Sequence, residues 1–350
     1  MKPAKYWQER SEQVLLAAER QGAEQNRALI RFYAETSRQL QKEIDAFYGR
    51  YATENRITPE EARKRLTATE LKGFQEELRF YLAEAERLGL SLRHRRYLRA
   101  LSGRAYLSRQ EELLAQSRHQ VEVLFTKEES GFKETLSGVY TDSYYHTVFD
   151  IQKGLGFGFN FARMDTAQVE YLLRKPWLGE NYSDRLWTNK ARLLRQLEQT
   201  VPQAFSLGIN SRVLGERVAE RLGVSLNAGR TLLRTEVNHA ANESAKRSYH
   251  ACGVEEYDYL ASLDRRTCPT CAALDGKTFR VADAQTGVNF PPIHPNDRCT
   301  TVPSFKPDEF DEPSFRAARS TDGRYYTIPA DMNYEAWFKR QETAWKKMDV

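Results

Sequence analysis

The residues Cys268-Pro-Thr-Cys271, followed by His294 and Cys299, are the part of this chain best equipped for chemistry. Two thiolates separated by two residues can grip one side of a metal ion from a tight turn. An imidazole and a third thiolate from a second loop complete a tetrahedron, the closed sulfur and nitrogen set that zinc favours. Four protein ligands leave no position for water. The expected site is therefore structural, pinning loop 291–299 to turn 268–271. Two other readings stay open, a redox Cys-x-x-Cys pair and merely buried cysteines. The redox motif belongs ahead of a helix in a βαβ unit, whereas Cys271 runs into Ala-Ala-Leu-Asp-Gly. A zinc deaminase needs His-x-Glu upstream of Pro-Cys-x-x-Cys. Here Thr267 precedes Cys268, and His239 is followed by Ala-Ala-Asn-Glu243, so that pattern fails at both ends.

Three further groups carry weaker signals. Glu236, His239 and Glu243 fall at three- and four-residue spacings on one helix face, with Arg234 just ahead of them. They make either a second metal site or a polar network, and such faces are more often polar networks or solvated surface. Gly154-Leu-Gly-Phe-Gly-Phe159 lacks the preceding strand that a dinucleotide-binding loop requires, so a hinge or packed turn is expected there. Residues 87–110 contain no Asp or Glu and carry Arg87, Arg93, Arg95, Arg96, Arg99, Arg104 and Arg109, with Tyr97 and Tyr106 between them. Of these, Arg93, Arg95, Arg96, Arg99 and Arg104 are the candidate DNA contacts, since arginines along a helix neutralise phosphates whatever the base sequence. The alternative is a helix face paired with acids such as Glu76, Glu77, Glu84 and Glu86.

The elements that position these residues are mostly helices. Tyr33, Leu40, Ile44, Phe47 and Tyr51 recur at helical spacing, as do Leu71, Phe74, Leu78, Tyr81, Ala85 and Leu88, which end at Gly89. Thr58-Pro-Glu-Glu61 reads as a capped helix start, with Glu61 placed to close a capping box. Further helical pattern covers about 92–128 and 133–152. Asp165 or Thr166, Ser183 and Ser211 open others, and a long helix runs from about Asn227 to Ala251 before Gly253. The period then changes to alternation at Tyr257, Tyr259, Ala261 and Leu263. Asp275-Gly276 signals a turn, with Lys277–Val281 as the returning strand, and the tail adds a turn at Asp322-Gly323, a strand at Tyr325–Ile328 and a helix bearing Tyr334, Trp337 and Phe338. The expected architecture is mostly α: an elongated helical N-terminal region over 1–150, and a small α+β domain over 151–305 with a short antiparallel sheet and a zinc-knuckle-like site. Residues 306–350 form a tail.

Composition narrows the function classes. With 350 residues, 40% apolar and 29% charged, the chain has the profile of a polar globular protein with long helices. A net charge of +5, from 53 basic against 48 acidic residues, is too mild to imply nucleic-acid binding without local clustering. Charge rather than an apolar run follows Met1-Lys-Pro-Ala-Lys-Tyr-Trp7, so no secretory leader is expected. No stretch reaches the ~20 apolar residues of a membrane span. Folding in a reducing cytoplasm is expected, where clustered cysteines bind metal more often than they form disulfides.

In order along the chain stand Lys175-Pro-Trp-Leu-Gly-Glu-Asn181, Asp184-Arg-Leu-Trp187, Arg234-Thr-Glu236, Asp264-Arg-Arg-Thr-Cys-Pro-Thr-Cys271, Leu274-Asp-Gly-Lys-Thr-Phe279 and Pro291-Pro-Ile-His-Pro-Asn-Asp-Arg-Cys299. This series resembles the head-morphogenesis family of tailed bacteriophages, the minor head proteins similar to protein F of phage Mu, over most of residues 150–303. Members commonly read His-Pro-Asn-Cys-Arg-Cys in the last motif. Asp297 stands here in place of the first of those cysteines, either as a carboxylate ligand or outside the ligand set. The resemblance implies a minor capsid protein without catalysis, meeting the portal protein and packaged DNA, with a major capsid or scaffolding protein as a further partner. It implies a place in the virion interior at the portal vertex, reached from the host cytoplasm during assembly. The alternative from another class is an enzyme, a metal-dependent nuclease or a nucleotide-acting transferase.

Overall fold

The computed structural model describes residues 2–156, 158, 161, 163–305, 315–319, 325–329 and 332–340. Helices dominate: α1 (Ala4–Tyr51), α2 (Pro59–Arg63), α3 (Ala68–Arg87), α4 (Leu92–Ser102), α5 (Arg109–Leu155), α6 (Thr166–Leu173), α7 (Tyr182–Ser206), α8 (Ser211–Ala251) and α9 (Pro269–Leu274). The strands are β1 (Glu256–Leu260), β2 (Thr278–Arg280), β3 (Thr300–Ser304), β4 (Phe315–Arg319) and β5 (Tyr325–Pro329). The expected mostly-α fold with a small antiparallel sheet is what the chain adopts. The Asp322-Gly323 turn and the aromatic rings Phe157 and Phe159 lie outside the described residues.

The chain forms two compact units. One comprises residues 25–132 and 183–230 and is entirely helical. Its interior holds Leu29, Tyr33, Leu40, Ile44 and Phe47 from α1, Phe74 and Leu78 from α3, and Phe205 from α7. The Phe47 and Phe205 rings stack with centroids 5.7 Å apart. Thr58 caps α2 by accepting the Glu61 N–H at 3.1 Å. Glu61, however, does not complete the box; its carboxylate pairs with Arg109 and Lys64. The complete capping box lies at the next helix, where Thr67 and Glu70 satisfy each other's backbone N–H.

The other unit comprises residues 1–24, 133–182 and 231–350, and contains the sheet. β1 is central, with β2 and β3 antiparallel on either side, and β4 pairs separately with β5. Tyr257 and Tyr259 point into the core from β1, both fully buried, as period-2 alternation requires.

Two expected breaks are absent. α5 continues through Gly131 to Leu155, so Gly154 is helical and only Gly156 turns the chain, at φ +81°. The expected hinge thus begins two residues later than its first glycine. α8 runs unbroken across Gly223 from Ser211 to Ala251, where two helices were expected. A glycine costs a helix only ~1 kcal/mol, less than packing along a long buried face returns.

Candidate metal centre

Cys268 is the N-cap of α9, with Pro269 in the first helical position, and its Sγ accepts the Cys271 N–H at 3.3 Å. The Cys-x-x-Cys pair does therefore open a helix, contrary to the sequence expectation. That helix has six residues and connects antiparallel strands, so it is not the βαβ setting of a thiol oxidoreductase. The remaining donors lie on the loop before β3. Asp297 shapes it: Oδ2 accepts the Ile293 N–H at 2.7 Å and Oδ1 accepts the Cys299 N–H at 2.9 Å. Asn296 takes the left-handed conformation at φ +61°, which Asn tolerates better than most residues.

Two overlapping triads result, Cys268–Cys271–His294 and Cys271–Asp297–Cys299, with donor atoms within 4.8 Å of one another in each. Cys271, 1% exposed, belongs to both. Its Sγ lies 3.5 Å from His294 Nε2 and 3.9 Å from Asp297 Oδ2. His294 Nδ1 is 2.9 Å from the Pro295 carbonyl, which can only accept. Nδ1 therefore carries the proton, and Nε2 turns its lone pair toward the thiols. Metal-bound histidines are oriented in this way. Either triad, the half-exposed one with the imidazole or the buried one with the carboxylate, presents donors that could hold a metal ion.

The electrostatics single out Cys271 among the donors. A hydrogen bond from the Cys299 thiol holds Cys271 below the usual thiol range, helped by Tyr259, whose hydroxyl donates to it at 3.4 Å. The same bond and burial push Cys299 up. Burial pulls the His294 imidazole down, but its bond to the Pro295 carbonyl and the charges of Asp297 and Cys271 outweigh this and raise it.

Helix α8 supports the loop from beneath. Asn238 and Asn242 donate to the Cys299 carbonyl at 2.9 and 3.2 Å, Thr300 donates to Asn242 Oδ1 at 3.1 Å, and Thr235 accepts the Asn296 N–H at 3.0 Å. Arg298 makes a two-pronged pair with Asp264. The sequence reading missed the supporting role of Thr235, Asn238 and Asn242. Their signal was present: three small polar residues at i, i+3 and i+7 on one helix face.

Of the other candidates, Arg234 reaches Asn296 Oδ1 at 3.4 Å, and Glu236 accepts the Trp177 indole N–H at 3.1 Å. Trp177 also stacks on His239, centroids 4.4 Å apart. A tryptophan from the Lys175–Asn181 motif thus covers this face, and the three residues act as a polar seat for it and for the metal loop.

The arginine stretch divides. Arg87 pairs with Glu84, Arg99 with Glu86, Arg104 with Glu111, and Arg109 with Glu61 and Glu70. Arg93, Arg95 and Arg96 form no ion pair among the described residues; Arg93 and Arg96 are exposed and Arg95 is half-buried.

Comparison with known proteins adds one finding. Residues 195–302 match a family described as Phage Mu protein F like protein. The match bears out the resemblance carried by the motifs, covers less than a third of the chain, and includes every candidate metal ligand. No curated protein and no solved structure matches the chain.

Proposed function

We propose that this chain is a minor capsid protein of a tailed phage, acting in head morphogenesis without catalysis and reaching the virion interior at the portal vertex. The observation that carries the reading is the Mu F-like segment over residues 195–302, the segment that also holds the thiol–imidazole cluster. Zinc is the metal that suits this set, held by Cys268, Cys271, His294 and Cys299, and it would supply a structural crosslink between α9 and the loop before β3. Asp297 already spends both oxygens on the loop backbone and serves to present Cys299. The engagement of the buried Glu236 and the half-buried His239 by Trp177 favours a structural α8 face over the nuclease or transferase alternative. The exposed arginines of α4 offer a surface for the DNA backbone. Among the described residues no helix is long and apolar enough to cross a membrane.

The decisive experiment asks where the protein goes. Purified virions should contain this chain in few copies, and it should co-purify with the portal protein of the same phage when the two are expressed together. Virions lacking the chain, together with no portal association, would remove the assembly reading. A metal-dependent turnover lost in Glu236→Gln would install the enzyme in its place.

A further inference from the structure

The C-terminal segments do not pack at random on their unit. Ala318 of β4, Ile328 of β5, Tyr334 and Trp337 bury around Leu263, with Ala272 against them. Leu263 lies just before the Cys268–Cys271 turn, and Ala272 directly follows Cys271. Polar contacts converge on the same turn. The Tyr334 N–H donates to Asp275 Oδ2 at 2.7 Å while Asp275 Oδ1 accepts the Ala261 N–H at 2.8 Å. The Tyr334 hydroxyl donates to the Asp264 carbonyl at 3.0 Å, and the Asp264 carboxylate holds Arg298 and the Arg266 N–H. Among the described residues, these seats of the tail on the rest of its unit, Leu263, Asp264, Ala272 and Asp275, fall between 261 and 275.

That turn is tied within itself by Thr267 on the Ser262 carbonyl, Asp264 on the Arg266 N–H and Asp275 on the Ala261 N–H, but its helix is short. α9 has six residues, and isolated helices shorter than ~12–15 residues are marginal in water. Cys268 and Cys271 face His294 and Cys299 on the neighbouring loop, where a metal would add a tie that the turn's own hydrogen bonds do not supply. Residue 298, between two of these donors, is the one that grips Asp264.

We infer that the metal centre governs docking of the C-terminal segments: metal on the four donors sets the 261–275 turn, and the turn seats residues 315–319, 325–329 and 332–340. The inference rests on the metal reading above. By linkage the coupling runs both ways, so an undocked tail must weaken metal retention by the factor by which metal loss loosens the tail. A Cys-x-x-Cys turn would then serve as a latch for the tail as well as a brace for the sheet.

The test uses the full chain in reducing buffer, reconstituted with zinc alone and with its zinc content measured. Hydrogen exchange is followed before and after chelation. Peptides covering 325–340 should exchange at least about tenfold faster after zinc is removed, while those covering α3 stay as they were. Tyr334→Phe and Trp337→Ala should each bind zinc more weakly in an equilibrium competition titration against a chelator, by about fivefold or more, the lower end of ordinary couplings between sites. One zinc per chain with unchanged exchange at 325–340 overturns the inference and leaves the metal reading standing. Chains that take up no zinc on reconstitution overturn both. Should chelation unfold α3 as well, the two tail variants decide, and zinc affinity equal to the parent's overturns the coupling.

Discussion

Glu128 is fully buried in the helical unit, between Tyr33, which donates to its Oε2 at 3.0 Å, and Gly229, whose added Cβ would meet Oε1 at 2.5 Å. Burial pushes its carboxyl up to about 7, and Glu43 is pushed to about 7 for the same first reason. A folded-state value above the unfolded one means stability that is complete below about pH 4.5 and lost as pH rises through 7. Glu128→Gln should then gain roughly 3 kcal/mol at most over the parent at pH 8.5 and little at pH 5. Thermal melts at the two pH values check this, and a parent equally stable at both would contradict it. His94 and His119 work in the opposite direction. His94 is depressed to about 3 by burial and by the neighbouring His119, Arg118 and Lys190. The stability of its neutral form is therefore present above about 6.5 and lost as pH falls toward 3. At the metal centre, Cys271→Ser removes the donor common to both triads. Structural zinc is worth ~10–16 kcal/mol in small domains, so the variant should bind no zinc and lose exchange protection across β1–β3. Elemental analysis finding one zinc in the variant, or none in the parent after reconstitution, would sink the assignment.

At the scale of elements, Gly154 and Gly215 in the long helices are notches for side chains of α1. A Cβ on Gly154 of α5 would stand 2.1 Å from the buried Trp7 ring, whereas one on Gly215 of α8 would meet only the end of Gln41. A ring in a packed site cannot yield, but a glutamine tip can. Gly154→Ala should destabilise by about 1–3 kcal/mol through overpacking, while Gly215→Ala should be neutral or stabilising by up to ~1 kcal/mol through helix propensity. Urea midpoints of the two variants measure this directly, and equal effects would refute the distinction. In α4 and just beyond it, the ion pairs of Arg99 and Arg104 are exposed and contribute little to stability. Arg93 and Arg96 are exposed without ion pairs among the described residues, so they are the cleaner probes. Reversing both to Glu should leave the melt unchanged, weaken binding to duplex DNA of any sequence, and flatten the log–log salt slope by about two. An unaltered salt slope would make the α4 face a structural charge surface.

For the whole molecule, the amino-acid sequence by itself determined what depends on local order. Helical period and caps marked most helices, the change to alternation at Tyr257 marked β1, and the Cys268, Cys271, His294 and Cys299 spacing marked a cluster that could hold a metal, because each of these is written in short stretches of sequence. Their supports depended on chain reunion. Asn238 and Asn242 meet the Cys299 carbonyl across some sixty residues of chain, and Trp177 covers Glu236 across a similar interval. The same holds for continuity: nothing near Gly131 or Gly223 announces that α5 and α8 pass through them, because what overrides the glycine is burial against distant helices. Each compact unit is likewise assembled from separated stretches, residues 25–132 with 183–230, and 1–24 with 133–182 and 231–350. Periodicity reports which face of a helix is apolar and carries no record of which helix will cover it. That choice is made by packing, where buried area and satisfied polar groups are counted over the entire chain, and so it was left for the tertiary structure to decide.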